Sequence, residues 1–249
     1  MTPALETIGL SRSFGALAVA QAIDFALAPG ARHALIGPNG AGKTTFVNLI
    51  TGRLAPSAGT IRVAGEDVTR LGQAARVKRG LARTFQINQL FRGLSTLENV
   101  VIAVAERSGV AGHMFRVAGS RPAIVEEAYA LLERFGLADD AARPVRDLAY
   151  GRQRLVEMAI ALGLRPRVLL LDEPAAGVPS TESRIILDAV EALPAGIAVL
   201  IIEHDMDLVF RFAREITVLV QGAVLTSGTP ASIRDDQRVR EVYLGERHG

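Results

Sequence analysis

The chain has 249 residues, 49% of them hydrophobic, with 28 Lys and Arg against 26 Asp and Glu, a formal charge of +2 and no cysteine. That length carries one large α/β domain, or a core domain with a smaller subdomain, and the lack of cysteine excludes disulfides and thiolate metal sites. Residues 1–14 lack the long apolar run of a secretory signal, the apolar run at 197–202 is far too short to span a bilayer, and no basic block with interleaved aromatics points to nucleic acid.

In chain order, the first strand-like run covers 5–10, and a second at 31–36 leads into GPNGAGKTT, residues 37–45. A helical pattern over 44–50 follows at once. Gly37, Pro38, Asn39, Gly40, Ala41, Gly42, Lys43, Thr44 and Thr45 fit the spacing G-x-x-x-x-G-K-[ST]. The glycines let successive backbone N–H groups curl around phosphate oxygens, and the helix N-terminus adds partial positive charge. Lys43, one of only two lysines, would reach the β and γ phosphates, and the Thr44 hydroxyl would hold Mg²⁺.

A strand-like run at 60–63 comes next. The stretch 88–160 then breaks the strand–helix alternation and reads as mostly helical, with patterns at 96–106, 124–135 and 152–162. Residues 108–122, with three glycines, read as a flexible loop. RVLLLDEP, residues 167–174, is a second phosphate-site signal. Asp172 ends an apolar strand, where a carboxylate is costly unless it has a task, and coordination of Mg²⁺ through water is such a task. Glu173 follows, placed to act as base toward an attacking water. A helix at 182–193, strands at 197–202 and 216–220, a helix at 206–213 and a helix start at Thr229-Pro230 complete the pattern. Apolar strands alternating with helices predict a largely parallel, covered sheet. His33, His113 and His248 are scattered and predict no structural metal site.

These motifs, in this order, resemble an ATPase of the ABC type over almost the whole chain. RTFQ, residues 83–86, resembles the family's glutamine loop, and the resemblance makes Gln86 a sensor of Mg²⁺ and the γ-phosphate. LAYGRQ, residues 148–153, resembles the family signature, and IIEHD, residues 201–205, resembles the segment whose histidine, here His204, contacts the γ-phosphate. Phe14 stands where the family places an aromatic that stacks on adenine. The implied fold is an α/β P-loop NTPase with a mostly parallel central sheet, an N-terminal antiparallel β part and a helical subdomain. Residues 1–87 and 161–228 would form the core, 88–160 the helical signature subdomain and 229–249 a short C-terminal helical extension.

The resemblance further implies that Ala149, Tyr150, Gly151 and Gln153 serve the nucleotide of a second subunit, arranged head to tail. Ala149 stands where the family usually has Ser, which predicts an active site with a weakened contact across the dimer. Pro179 stands where the family often has Asp or Asn, a residue that helps link the two sites. Catalysis would rest on Glu173, His204, Gln86 and Lys43, with ATP as substrate and Mg²⁺ held by Thr44, Gln86 and Asp172. ARTFQINQLFRGLSTLENV, LAYGRQRLVEMAIAL, LLLDEPAAG and REVYLGE resemble the ATPases of branched-chain (hydrophobic) amino acid importers. That group implies a peripheral protein on the cytoplasmic face of the inner membrane. It implies a second ATPase subunit, the same or homologous, two membrane permease subunits, an indirectly linked solute-binding protein, and no nucleic acid. The surface at Leu90, Phe91 and 108–122 would receive a coupling helix of the permease. ATPases of lipopolysaccharide export and soluble, non-transport ABC ATPases are the alternatives at this level.

Overall fold

A computed structural model describes residues 1–84, 90–110, 121–174, 176–178 and 180–245, leaving aside the side chains of 180–183 and 244–245. Gln86, Pro179, His113, His248 and most of the glycine-bearing loop at 108–122 lie outside the described residues. The chain divides into two compact units: 1–81, 167–173 and 194–249 form the first, and 82–166 and 174–193 the second.

The first unit contains an antiparallel sheet in the order β2-β1-β4-β5. Its strands are β1 (Leu5–Phe14), β2 (Leu17–Leu27), β4 (Ala58–Val63) and β5 (Glu66–Asp67). Alternation drives them: Ile23, Phe25 and Leu27 of β2 are buried while Asp24 and Ala26 between them are exposed. The larger sheet contains β3 (Arg32–Ile36), β6 (Leu81–Arg83), β7 (Val168–Asp172), β8 (Ala198–Ile202), β9 (Glu215–Val220) and β10 (Ala223–Gly228). Its order is β10-β9-β3-β8-β7-β6, and the first unit ends at Leu81, the opening residue of β6. β9, β3, β8 and β7 pair in parallel, and β10 returns antiparallel beside β9. All five residues of β8 and the first four of β7 are buried, as expected for parallel strands covered on both faces.

Helix α1 (Lys43–Thr51) buries Phe46, Val47, Leu49 and Ile50, and Gly52 ends it in the left-handed conformation. Arg76 of α2 (Gln73–Lys78) is 1% exposed. Its guanidinium donates to the carbonyls of Leu49, Ile50, Thr69 and Leu71 at 2.6–2.9 Å. A buried cation is tolerated there because it meets the last-turn carbonyls of α1, the negative end of that helix. The unit closes with α7 (Met206–Phe212), capped by Asp205, then α8 (Pro230–Asp235) and α9 (Gln237–Gly245). Thr229 caps α8 through the Ser232 N–H with Pro230 in the first turn, the start its sequence predicts.

The second unit is built on α3 (Thr96–Arg107), α4 (Pro122–Arg134), α5 (Tyr150–Gly163) and α6 (Ser180–Glu191). Ser95 and Glu98 form a reciprocal capping box at the start of α3. Arg107 donates to both oxygens of Glu127 at 2.7 Å and to the Gly163 carbonyl, tying three helices together. The units cut the chain differently from the sequence boundaries. Residues 161–166 and 174–193 group with the helices, because α5 runs unbroken to Gly163 and α6 packs on it.

Within α5, Arg154 and Glu157 form an ion pair at 3.0 Å and are 8% and 5% exposed. Burial pushes the Glu157 carboxyl up to about 7, against the downward pull of Arg154. A folded-state pKa above the unfolded one contributes stability that is complete below about 4.5 and is lost as pH rises through about 7. Glu157→Gln removes this pH-dependent contribution. The unfolding free energy of the native protein, measured relative to that variant by urea titration, should fall by up to about 3 kcal/mol between pH 4.5 and 7.5. Parallel curves for the two proteins contradict this assignment.

Candidate functional site

The loop 37–42 leaves the sheet at the end of β3 and enters α1 at Lys43. Gly37, Gly40 and Gly42 take φ values of 154°, 75° and 97°, a region that side chains rarely adopt. Gly42 is the N-cap of α1 and no side chain caps that end, so the helix presents its backbone donors to whatever occupies the loop. The Lys43 ammonium folds back over the loop and donates to the carbonyls of Gly37 and Pro38, the latter at 2.9 Å. A cavity of about 620 Å³ opens here, lined by Asn39–Thr45, by Leu17, Ala18, Val19 and Gln21 of β2, by Gln221 and Gly222, and by Glu173.

Asp172 is half-buried at the end of β7, in register with Ile202 of β8. Glu173 is exposed and holds a left-handed φ of 47° while its N–H donates to the Ile202 carbonyl at 2.9 Å. A non-glycine residue pays about 1–2 kcal/mol in that region, and the hydrogen bond to β8 holds it there. His204, at the end of β8, places Nδ1 3.7 Å from Glu173 Oε1 and 3.9 Å from Glu203 Oε2. Glu203 is 2% exposed, and its carboxylate also accepts from the His204 N–H at 3.2 Å. Lys43, Thr44, Asp172, Glu173 and His204 therefore belong to one unit, and Lys43, Thr44 and Glu173 share one cavity.

Phe14 lies at the end of β1, 51% exposed, with the Arg12 guanidinium 4.5 Å above its ring. It is not among the described residues lining the cavity, although Leu17, three positions on, is. The signature residues open α5 in the second unit: Ala149 is the N-cap, Tyr150 is exposed and Gly151 is buried. Gln153 is 7% exposed and donates from Nε2 to the Leu148 carbonyl at 2.8 Å, which braces its own loop. The Tyr150 hydroxyl packs 3.2 Å from where a Cβ on Gly177 would stand. Phe91 is 57% exposed, and Asn99 pins its backbone through both N–H and C=O. His33 is buried against Thr217, and burial holds its imidazole down at about 4, which makes it a neutral core residue.

Several residues of the site escape the motifs. Leu17, Ala18, Val19, Gln21, Gln221 and Gly222 carry no sequence signal for a role there. Glu203 has one, an acid directly before His204.

The cavity can take a polyphosphate: a cation, an open helix N-terminus and glycine backbone line it, together with a carboxylate that has a histidine 3.7 Å away. A family model described as ABC transporter matches residues 20–176, and one described as branched-chain amino acid ATP-binding cassette transporter matches 223–249. The chain is similar to the high-affinity branched-chain amino acid transport ATP-binding protein BraF of Pseudomonas aeruginosa, 38% identical over 255 residues, covering 98% of each chain. It is also similar to the corresponding protein LivG of Escherichia coli strain K12, 37% identical over 251 residues with the same coverage. Among solved structures, an ATP-binding cassette of an ABC transporter in its ADP conformation superposes with a TM-score of 0.87. It is 29% identical, with 98% of this chain and 100% of that one covered. A nucleotide-free ATP-binding cassette gives 0.84 at 28% identity, covering 97% and 98%.

The N-cap of α5 supplies a prediction independent of any ligand. Ala149 has extended backbone there and offers no side-chain acceptor. Serine accepts from the N–H groups of the first turn, so Ala149→Ser should stabilise the protein by about 1 kcal/mol in chemical denaturation. An unchanged or lower stability contradicts the cap assignment.

Proposed function

The chain belongs to the ABC transporter family, and from that membership we propose that it is the ATP-hydrolysing subunit that powers import of branched-chain or related amino acids through membrane permease partners. The observation that carries the catalytic part is the placement of Glu173, in the cavity of Lys43 and Thr44 and 3.7 Å from His204. The 223–249 match and the near-full-length relatives support the choice of solute class.

ATP lies with its phosphates in the loop 37–45. Lys43 moves from the carbonyls of Gly37 and Pro38 to the β and γ phosphates, and the N-terminus of α1 adds its partial charge. Among the described residues no group of three or more His, Asp or Glu side chains is gathered to hold a metal. Thr44 lines the cavity, as does Glu173, and Asp172 ends β7 directly before Glu173; the Thr44 hydroxyl and the Asp172 carboxylate are hard oxygens too few for a protein cage. That set fits Mg²⁺, which keeps waters and takes phosphate oxygens. Thr44 and Asp172 would hold the ion, with Gln86, beyond the described residues, as a further ligand. When bound, the ion neutralises charge on the phosphates. Glu173 accepts a proton from water as the water oxygen attacks the γ-phosphorus and the bond to the ADP oxygen breaks. His204 stabilises the charge that develops on the γ-phosphate. The backbone of Glu173, fixed by Ile202, limits where its carboxylate reaches.

A second ATPase subunit meets this one head to tail. Ala149, Tyr150 and Gly151 approach the partner's nucleotide, while Gln153 braces the loop. Two permease subunits receive the motion at the surface of Phe91, and a solute-binding protein delivers the amino acid; Leu90, expected on that surface from the sequence, is 8% exposed and packs as core instead. No helix among the described residues is long and apolar enough to cross a membrane, which suits a peripheral subunit at the cytoplasmic face of the inner membrane. Phe14 stacks on adenine in this reading.

Glu173→Gln should bind ATP and stall in the closed dimer. Recovered from its native cells with ATP present, it should bring down two polytopic permeases, identified by mass spectrometry. Ribosomal or nucleic-acid proteins without permeases would overturn the transport assignment.

A further inference from the structure

We propose that the tip of the β9–β10 hairpin, Gln221–Gly222, together with Gln21 of β2, is a positioning element that sets the phosphate loop in its anion-receiving shape before any ligand arrives. The inference rests on the reading of residues 37–45 as the nucleotide site.

Three hydrogen bonds build the element. The Gly222 N–H donates to the Ala41 carbonyl at 2.9 Å, the Gln21 N–H donates to the Gly222 carbonyl at 2.7 Å, and Gln21 Nε2 donates to the Gln221 carbonyl at 2.8 Å. The first decides the orientation of a peptide plane inside the loop. A loop that binds phosphate must turn its N–H groups inward and its carbonyls away, because an inward carbonyl oxygen repels the anion. With its oxygen held by Gly222, the Ala41–Gly42 peptide presents the Gly42 N–H on the opposite side.

The approach is so close that backbone meets backbone. A Cβ on Gly222 would stand 2.7 Å from the Val19 carbonyl oxygen, and one on Gly42 would stand 2.8 Å from the same atom and 3.2 Å from the Gly222 Cα. A Cβ on Gly37 would stand 2.2 Å from the Leu219 carbonyl oxygen. Gly37 and Gly42 are thus required by the neighbouring strands as well as by phosphate. Gln221 and Gly222 take φ of 50° and 81°, as a tight two-residue hairpin turn requires, so the tip is itself held rigidly. Gln21, Gln221 and Gly222 line the same cavity as Lys43 and Thr44. They lie far from the loop's motif in sequence and act through Ala41, so they are positioning residues.

The test compares the native protein with Gln21→Ala and Gly222→Ala. A fluorescent ATP analogue with Mg²⁺ gives the Kd, steady-state hydrolysis gives KM and kcat, and thermal unfolding is followed without nucleotide. Loss of one neutral hydrogen bond predicts that Gln21→Ala raises Kd and KM by about two- to tenfold. Its kcat at saturating ATP should stay within about twofold and its unfolding temperature near native. Gly222→Ala, which displaces backbone, should raise Kd further. If it does not fold, Gln21→Ala decides alone. Native Kd and KM in a folded Gln21→Ala overturn the inference, and so does a fall in kcat with KM unchanged. Failure of the native protein itself to bind the analogue overturns the nucleotide reading, and this inference with it.

Discussion

The phosphate loop is shaped by contacts in which main chain touches main chain, and the candidate site depends on that constraint. Gly37 passes under the Leu219 carbonyl of β9 and Gly42 under the Val19 carbonyl of β2, each too close for any side chain. Such contacts involve no rotamers and little freedom, so the loop's N–H groups are ordered by the folding of the sheets. The entropy of arranging them is therefore not charged to ligand binding, which is what preorganisation means physically. The sheet behind them is rigid for the same reason: β7 and β8 are buried on both faces, and their ends carry Asp172, Glu173 and His204.

Charge inside this unit is placed with equal economy. Arg76 is a fully buried cation satisfied by four carbonyls, two of them in the last turn of α1. The helix thus has a guanidinium at its negative end and the phosphate loop at its positive end. At the end of β8, buried Glu203 accepts from the His204 backbone while its carboxylate stays within 3.9 Å of the imidazole, so His204 stands between two carboxylates. An acidic pair around one imidazole restricts the orientation of the ring.

The parallel core and the glycine loop between β3 and α1 were legible because their signals are local. An apolar run read as a buried strand, glycine spacing read as a loop, and Thr229-Pro230 read as a helix start. What stayed hidden was non-local. β2, LAVAQAIDFAL, is diluted by four alanines and is held by its ladder to β1 rather than by its own pattern. β10 is only half-buried at a sheet edge and reads as loop. Gln21 and Gln221 are 200 positions apart, and nothing in either neighbourhood announces the other. The signature loop was legible as a motif, but the inward turn of Gln153 depends on where α5 begins, two residues before the helical pattern suggests. Residues 174–193 show the same limit, since strand–helix alternation places α6 with the core and packing places it with the helices.

The measurement that most directly tests the account is uptake of radiolabelled leucine by cells lacking this chain, complemented with the native protein or with Glu173→Gln. The account predicts that the native protein restores uptake and that Glu173→Gln, present at equal abundance, does not. Leucine uptake that is unaffected by loss of the chain, or fully restored by Glu173→Gln, would contradict it.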